Sequence, residues 1–161
     1  MELAAAPAAA AGQDAATGDI RQIVTFRIGD EYYGLDIRAV REIRAWTAAT
    51  TLPNTPEFVR GVVNLRGMIV PILDLRARFG RGMTEPTRTH VVIVVSVDTQ
   101  LVGFLVDAVS DIVTVSADGI MPLPSIDGSD AGECLDGIIT IGEQMVALIA
   151  GERVAAPATM H

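Results

Sequence analysis

Two histidines and one cysteine, His90, His161 and Cys134, are the side chains best able to do nucleophilic or acid-base chemistry. His90 leads an apolar run that predicts a strand, and His161 is the last residue. Neither lies near a serine or cysteine nucleophile in the sequence. A lone thiol without a neighbouring cation or base is a poor nucleophile, so we expect His90 and Cys134 to be structural.

Metal and phosphate chemistry also lacks a convincing motif. Residues 127–133, DGSDAGE, partly resemble a calcium loop. The comparison fails because Ala131 and Ile138 stand at ligand positions five and twelve, where oxygen atoms are needed. Neither common phosphate-binding glycine loop is present in the sequence. We therefore expect a binding protein rather than an enzyme, with no metal and no cofactor.

Charge is unevenly distributed along the 161 residues. The net charge of −8 disfavours nucleic acid and anionic lipid as main partners. Residues 21–88 hold eleven arginines and seven acidic residues, whereas residues 89–152 hold ten acidic residues and no arginine or lysine. One explanation is drift in surface composition. The other is two electrically different surfaces, for two partners or for head-to-tail self-association.

The apolar content does not predict a membrane protein. The longest apolar run, Val91–Val97, contains Ser96 and is far too short to span a bilayer. The chain opens with Met1-Glu2 and no basic segment, unlike a secretion signal. Its single cysteine excludes an intrachain disulfide. We expect a cytoplasmic protein without direct membrane insertion.

Short apolar runs separated by turn residues predict about nine strands. They lie at residues 23–28, 32–37, 62–65, 68–75, 91–97, 100–106, 111–115, 138–141 and 144–149. Such closely spaced strands favour a mostly β fold of small antiparallel barrels. No internal repeat is evident in the sequence.

A few short helices complete the predicted elements. Apolar residues at every third position predict one or two helical turns at residues 37–43, and Thr55 is expected to cap a helix at residues 56–60. Another short helix is predicted at residues 147–154. Residues 1–18 form a predicted disordered Ala-rich tail, residues 19–152 the folded domain, and residues 153–161 a C-terminal tail.

The Arg66-Gly67 pair lies between two apolar runs and predicts a tight turn. Glycine there allows a positive φ, which leaves the arginine projecting to bind a carboxylate within the protein or on a partner. Glu42 is one possible intramolecular partner, on the exposed side of the predicted helix. An ordinary exposed turn arginine is the alternative. Pro71 within the next run indicates a sheet edge or a bulge.

The chain resembles the CheW family over about residues 20–152. The resemblance lies in Phe26 and the segments GDEYYGLDI (29–37), VREIR (40–44), NTPEFVRGVVNLRG (54–67), IVPILDLR (69–76) and GFLVDAVSD (103–111). It implies two SH3-like five-stranded β-barrel subdomains that share a hydrophobic seam. It also implies a non-enzymatic adaptor that couples methyl-accepting chemoreceptors to the histidine kinase CheA.

The implied partners are the cytoplasmic tip of the receptors and the regulatory domain of CheA, with weak ring-forming contacts in membrane-associated arrays. By motif, the receptor-facing residues would be Val40, Glu42, Ile43, Leu65, Arg66, Gly67, Val91 and Val92. Gly61 would keep the turn before the hairpin tight. Our candidates for kinase contacts, on weaker grounds, are Phe104, Val109 and Ile112.

Three other interpretations stay open. The same fold could serve a receptor–kinase pathway with another output than flagellar chemotaxis. The chain could be a fragment of a larger signalling protein, but a kinase would need an ATP-binding domain upstream and a receiver fusion an α/β domain downstream. With twelve residues after Ile149, we expect neither. It could also be a small barrel enzyme or ligand carrier, which turnover or a stoichiometric ligand would reveal.

Overall fold

The computed structural model describes residues 20–123 and 134–159, with side chains described as far as Ala155. The predicted tail at residues 1–18, His161 and the stretch compared with a calcium loop lie outside these described residues. The ten strands are β1 (Ile20–Ile28), β2 (Glu31–Asp36), β3 (Val40–Ala45), β4 (Val59–Leu65), β5 (Met68–Asp74), β6 (Val91–Val97), β7 (Gln100–Val106), β8 (Ala108–Ser116), β9 (Leu135–Ile141) and β10 (Gln144–Ile149).

Helical structure in the described residues is brief. The α-helices are α1 (Leu75–Arg78) and α2 (Gly151–Thr159), and 3-10 turns lie at Ile37–Ala39 and Ala117–Gly119. None of the helices in this part of the chain is long and apolar enough to cross a membrane.

The strands form two five-stranded sheets, which confirms the predicted mostly β fold. Barrel 1 has the order β9-β10-β2-β1-β8, and barrel 2 has the order β3-β6-β7-β5-β4. Two pairs of the described strands are parallel, β10 with β2 and β7 with β5, and the other pairs are antiparallel. This arrangement agrees with two SH3-like barrel subdomains.

One isolated bridge closes each sheet into a barrel. In barrel 2, Thr50 beyond β3 pairs with Val62 on β4, and in barrel 1, Met121 beyond β8 pairs with Ile138 on β9. Each bridge has two backbone hydrogen bonds, of 2.8 to 2.9 Å. Closure matters because it pairs backbone groups that would otherwise remain at an open sheet edge.

The two barrels exchange strands between the halves of the chain. Barrel 1 combines β1 and β2 with β8, β9 and β10, whereas barrel 2 combines β6 and β7 with β3, β4 and β5. Neither half of the chain therefore completes a barrel by itself.

The strand register repeats between the two barrels. Gly34 lies beside Leu148 in the parallel pair of barrel 1, and Gly103 lies beside Ile72 in that of barrel 2. A Cβ on Gly34 would approach Ile23 to 2.5 Å, and one on Gly103 would approach Ile72 to 2.6 Å. The two barrels therefore repeat one another in pairing register and in packing, although no repeat is evident in the sequence.

The hydrophobic core has three parts. A cluster shared by the barrels contains Phe26 and Leu35 from barrel 1 with Ile93 and Phe104 from barrel 2, and this is the predicted seam. Barrel 2 also has an interior cluster of Leu65, Val70, Ile72, Val92, Val94 and Leu105. Barrel 1 has an interior cluster of Ile23, Ile139, Val146 and Leu148.

The prediction of a helix at residues 37–43 was wrong, except for a single 3-10 turn at Ile37–Ala39. Val40–Ala45 is strand β3, and its register against β6 shifts between Val40 and Glu42. This β-bulge inserts one residue, which places apolar side chains three residues apart on one face. The three-residue spacing therefore came from a bulged strand.

Two other predicted helices also differ. Residues 56–60 form a turn closed by a hydrogen bond from Val59 N to Pro56 O (3.0 Å), and β4 starts at Val59. Thr55 instead donates its hydroxyl to Leu52 O. The C-terminal helix begins at Gly151, since β10 continues to Ile149. It crosses the predicted boundary at residue 152, and Val154 and Ala155 are fully buried in the shared cluster.

Candidate functional site

His90 and Cys134 have structural surroundings. His90 Nδ1 accepts a hydrogen bond from Thr87 N (2.9 Å), and its Nε2 lies 3.3 Å from Asp107 Oδ1. Asp107 Oδ2 accepts a hydrogen bond from Gly29 N at the β1–β2 turn, so this group joins the two barrels. Cys134 is completely buried. Residues 20–123 and 134–159 contain no cluster of three metal-ligating side chains.

The Arg66-Gly67 turn projects the arginine as predicted. Arg66 has φ 53° and Gly67 has φ 88°, so both central residues occupy the left-handed region that suits a two-residue hairpin. Asn64 Oδ1 accepts a hydrogen bond from Gly67 N (2.8 Å) and fixes the turn. The Arg66 side chain is 73% exposed.

Glu42 pairs with Arg66 across the two edge strands of barrel 2. Arg66 Nη2 donates to Glu42 Oε1 from the β4–β5 turn, and Arg44 Nη1 donates to Glu42 Oε2 (3.1 Å) from two residues along β3. The proposed Glu42–Arg66 partnership is thus confirmed, although Glu42 lies on a strand rather than on a helix. We name Arg44, Glu42 and Arg66 the edge cluster.

The two arginines stabilise the ionised carboxylate. The hydrogen bond from Arg66, followed by that from Arg44, lowers the pKa of Glu42 below its ordinary value. The edge cluster therefore keeps one negative and two positive charges at neutral pH.

The predicted receptor-facing residues divide between two faces of barrel 2. Opposed residues on neighbouring strands point to the same face. Val40 and Ile43 oppose Val95 and Ile93, which belong to the shared cluster, and Val91 packs against that cluster as well. Ile43 is 45% exposed. These three residues therefore share the face beside the seam.

The other face holds Glu42 above the interior of barrel 2. Glu42 opposes Val94, and both Leu65 and Val92 are only 5% exposed within the same interior cluster. Leu65 and Val92 are consequently a floor beneath the edge cluster, with little surface for direct contact. Gly67 lies in the turn beside Arg66.

Sequence reasoning missed three residues at this site, one partly buried and two exposed. Arg44 shares the Glu42 carboxylate, and Met68 and Ile69 follow the turn with 49% and 64% exposure. The alternation of Glu42 and Arg44 would have placed both on one face if residues 40–45 had been interpreted as a strand.

Gly61 has the tight geometry expected of it. Its φ is 141°, and an added Cβ would lie 2.3 Å from Thr50 O. Gly61 therefore permits the bridge that closes barrel 2, rather than a turn of the hairpin itself. Gly137 has the same role in barrel 1, where a Cβ would lie 2.8 Å from Met121 O.

The weaker set of candidates is only partly on the surface. The prediction that Phe104 contacts the kinase was wrong, because its side chain is completely buried in the shared cluster. Val109 is half-buried, and Ile112 is 50% exposed on β8. In β8 the register against β1 shifts between Val109 and Asp111, as it does in β3 between Val40 and Glu42.

The repeated bulge makes β8 the counterpart of β3. Val109, Asp111 and Ile112 take the places of Val40, Glu42 and Ile43, but the turn of the following hairpin is Gly142-Glu143 instead of Arg66-Gly67. We name the surface around Val40, Glu42 and Ile43 the β3 face, and the surface around Val109, Asp111 and Ile112 the β8 face. They share strand geometry and an exposed isoleucine, and differ in charge.

The charge difference extends over each barrel. Residues 37–106, which build barrel 2, contain nine arginines and five acidic residues. The described residues of barrel 1, at 20–36, 107–123 and 134–155, contain three arginines and nine acidic residues. The skew along the sequence is therefore retained in space.

Comparisons with known proteins agree with this architecture. A family model described as a CheW-like domain matches residues 22–157. The probable chemotaxis protein CheW of Rhizobium etli is 46% identical over 129 residues, which are 80% of this chain and 83% of that protein. The chemotaxis protein CheW of Klebsiella aerogenes is 41% identical over 129 residues, 80% of this chain and 78% of that protein.

A solved structure matches at the level of the whole fold. The crystal structure of the scaffolding protein TtCheW from Thermoanaerobacter tengcongensis superimposes with a TM-score of 0.77 and 34% identity, covering 84% of this chain and 88% of that chain. The family model, the relatives and the two-barrel fold agree, and the chain belongs to the CheW family of chemotaxis proteins.

Proposed function

We propose that this protein is a non-enzymatic adaptor that couples methyl-accepting chemoreceptors to the histidine kinase CheA. One observation carries the proposal: two equivalent edge-strand surfaces, the β3 face and the β8 face, belong to barrels of opposite charge. A molecule with two such surfaces is suited to hold two different partners at once.

The receptor tip is assigned to barrel 2. Its β3 face offers exposed apolar area at Ile43, beside the seam, and the edge cluster lies at the hairpin turn. Apolar burial would supply most of the free energy of binding, and the arginines would fix the orientation of the bound segment. We propose that Val40, Glu42, Ile43, Arg66, Gly67 and Val91 contact the receptor, with Leu65 and Val92 supporting them from beneath.

The kinase's regulatory domain is assigned to barrel 1. The β8 face offers Val109 and Ile112 beside acidic groups such as Asp111. A partner with basic and apolar residues would complement this surface. Because the barrels share one core cluster, binding at one face is mechanically connected to the other.

The proposed setting is the cytoplasm, with recruitment to membrane-associated receptor arrays. Individual contacts, including ring-forming ones, need only be weak there, because many linked binding sites raise the overall strength of attachment.

Co-sedimentation tests the coupling. CheA and the receptors would be taken from the same genome as this protein. Receptor-bearing membranes would be pelleted with CheA, with and without this protein, and kinase activity would be measured in the pellet. We expect the kinase to pellet and to be activated only when the protein is present. Unchanged recruitment and activity, with receptor and kinase shown to be functional, would refute the role in that pathway.

A further inference from the structure

A small depression lies between the edge strands of barrel 2, beneath the edge cluster. Leu65, Val92 and Val94 form its apolar floor, and Val63 lines one side. Among the described residues that line it, Arg44 has the only charged side chain, and that side chain is 40% exposed. The depression therefore combines apolar walls with a cationic rim.

The edge cluster leaves this rim with an excess of positive charge. The single carboxylate of Glu42 already accepts hydrogen bonds from both Arg44 and Arg66. A guanidinium has five N–H donors. Each arginine therefore keeps donors beyond those used for Glu42, and the two together carry one more positive charge than the carboxylate can neutralise.

We propose that Arg44 is a specificity-determining residue of the β3 face, and that it selects a receptor segment bearing a carboxylate next to apolar side chains. This inference rests on the proposed receptor-binding function. The incoming carboxylate binds between Arg44 and Arg66, while its apolar neighbours cover the exposed Met68 and Ile69 of the adjoining hairpin.

Arg44 is suited to this selection by its position. It lies on the same face of β3 as Glu42 and opposes Val92 on β6, so the strand pairing fixes where its side chain starts. Its hydrogen bond to Glu42 Oε2 (3.1 Å) holds the guanidinium, and the same side chain lines the depression. An arginine held in this way loses less conformational freedom when a partner binds.

The matched control is Arg41, one of β3's exposed residues, which does not line the depression. Arg44→Gln and Arg41→Gln remove the same charge from the same strand. Binding of each variant and the wild type to the isolated cytoplasmic fragment of a receptor from the same genome would be measured by calorimetry at several NaCl concentrations. Thermal unfolding of each variant would verify the fold.

We expect Arg44→Gln to weaken binding by roughly three- to tenfold at low salt and to reduce its salt dependence. Arg41→Gln should stay within about twofold of the wild type, and Arg44→Lys should recover part of the loss because the charge returns. In double-mutant cycles, one receptor carboxylate should couple to Arg44, since only a contacting pair is non-additive.

Equal effects of Arg44→Gln and Arg41→Gln, with the wild type binding normally, would overturn the role of Arg44 but leave the proposed function intact. Absence of coupling to any receptor carboxylate would overturn it as well. If the wild-type protein itself fails to bind functional receptor fragments, receptor coupling and this inference both fail. If Arg44→Gln proves destabilised, Arg44→Lys and the coupling measurement test the role of Arg44 instead.

Discussion

Gly61 and Thr50 approach so closely that only a residue without a side chain fits between β4 and the segment beyond β3. A Cβ on Gly61 would lie 2.3 Å from Thr50 O, and the φ of 141° disfavours any other residue. The contact is adjacent to the two hydrogen bonds between Thr50 and Val62 that close barrel 2. The closure of the barrel that carries the edge cluster thus depends on this glycine.

Gly61→Ala should therefore lower the free energy of unfolding by about 2 to 4 kcal/mol, through the steric clash and the strained φ. Urea denaturation followed by circular dichroism measures the change. Gly119→Ala is the control, because an added Cβ there meets no atom within 4 Å. It should alter stability by less than about 0.5 kcal/mol, and similar losses for both variants would contradict our account of closure.

Replacing the Asp74 carboxylate with the isosteric amide of asparagine should destabilise the protein. Its carboxylate is completely buried and accepts hydrogen bonds from Thr84 N and Thr84 Oγ1, both 2.7 Å, with Arg60 Nη1 at 3.6 Å. Ala77 N donates to the same oxygen as the Thr84 hydroxyl. Backbone N–H donors thus face both oxygens, and an amide nitrogen cannot accept from them.

Asp74→Asn should consequently cost about 1 to 3 kcal/mol in chemical denaturation. Asp98→Asn makes the same exchange at an exposed turn residue with φ 55°, a conformation that asparagine accepts readily. Its stability should be close to that of the wild type. If Asp74→Asn is equally harmless, the carboxylate does not anchor the segment around Thr84.

Tyr33 should lose its hydroxyl proton at a higher pH than an ordinary tyrosine. Burial, followed by its hydrogen bond to Glu31 Oε1 (2.8 Å), raises the pKa of Tyr33 to about 12. Absorbance at 295 nm during alkaline titration should show one of the two tyrosines of the sequence ionising near that pH. Tyr33→Phe should remove this late step, and persistence of the step would show that the assignment is wrong.

The same shift predicts alkaline destabilisation. The unfolded chain loses the Tyr33 proton near pH 10 and the folded one only near 12, so stability is retained below pH 10 and falls between these values. The loss from this residue should be about 2 to 3 kcal/mol. Denaturation curves of the wild type and Tyr33→Phe across this range should diverge.

Arg66→Glu should weaken receptor binding by about tenfold or more while the fold is preserved. The new carboxylate would lie beside Glu42 and reverse the sign of the edge cluster. Arg27→Glu makes an equal charge change at an exposed position on β1, in barrel 1. Co-sedimentation with receptor membranes should detect a loss only for Arg66→Glu, and unchanged receptor affinity would refute its role.

The sequence by itself determined the strands whose apolar runs end in turn residues. The bounds of β6, β7 and β10 were predicted to the residue, because Asp98-Thr99 and Gly142-Glu143 mark where each hairpin reverses. The projecting arginine at Arg66-Gly67 was predicted for the same reason, since turn conformation is a local property of the chain. The family resemblance was likewise visible in contiguous segments.

Only the tertiary structure decided which strands pair and which side chains are exposed. The bulge between Val40 and Glu42 gave β3 the three-residue spacing of a helix, and a bulge is defined by a partner strand 50 residues or more away in sequence. Phe104 and Ile112 both lie in apolar β-strands, yet one is buried and the other half exposed. That difference depends on whether another strand or helix covers the face, because the exchange of strands between barrels buries one side of β7 and leaves part of β8 open.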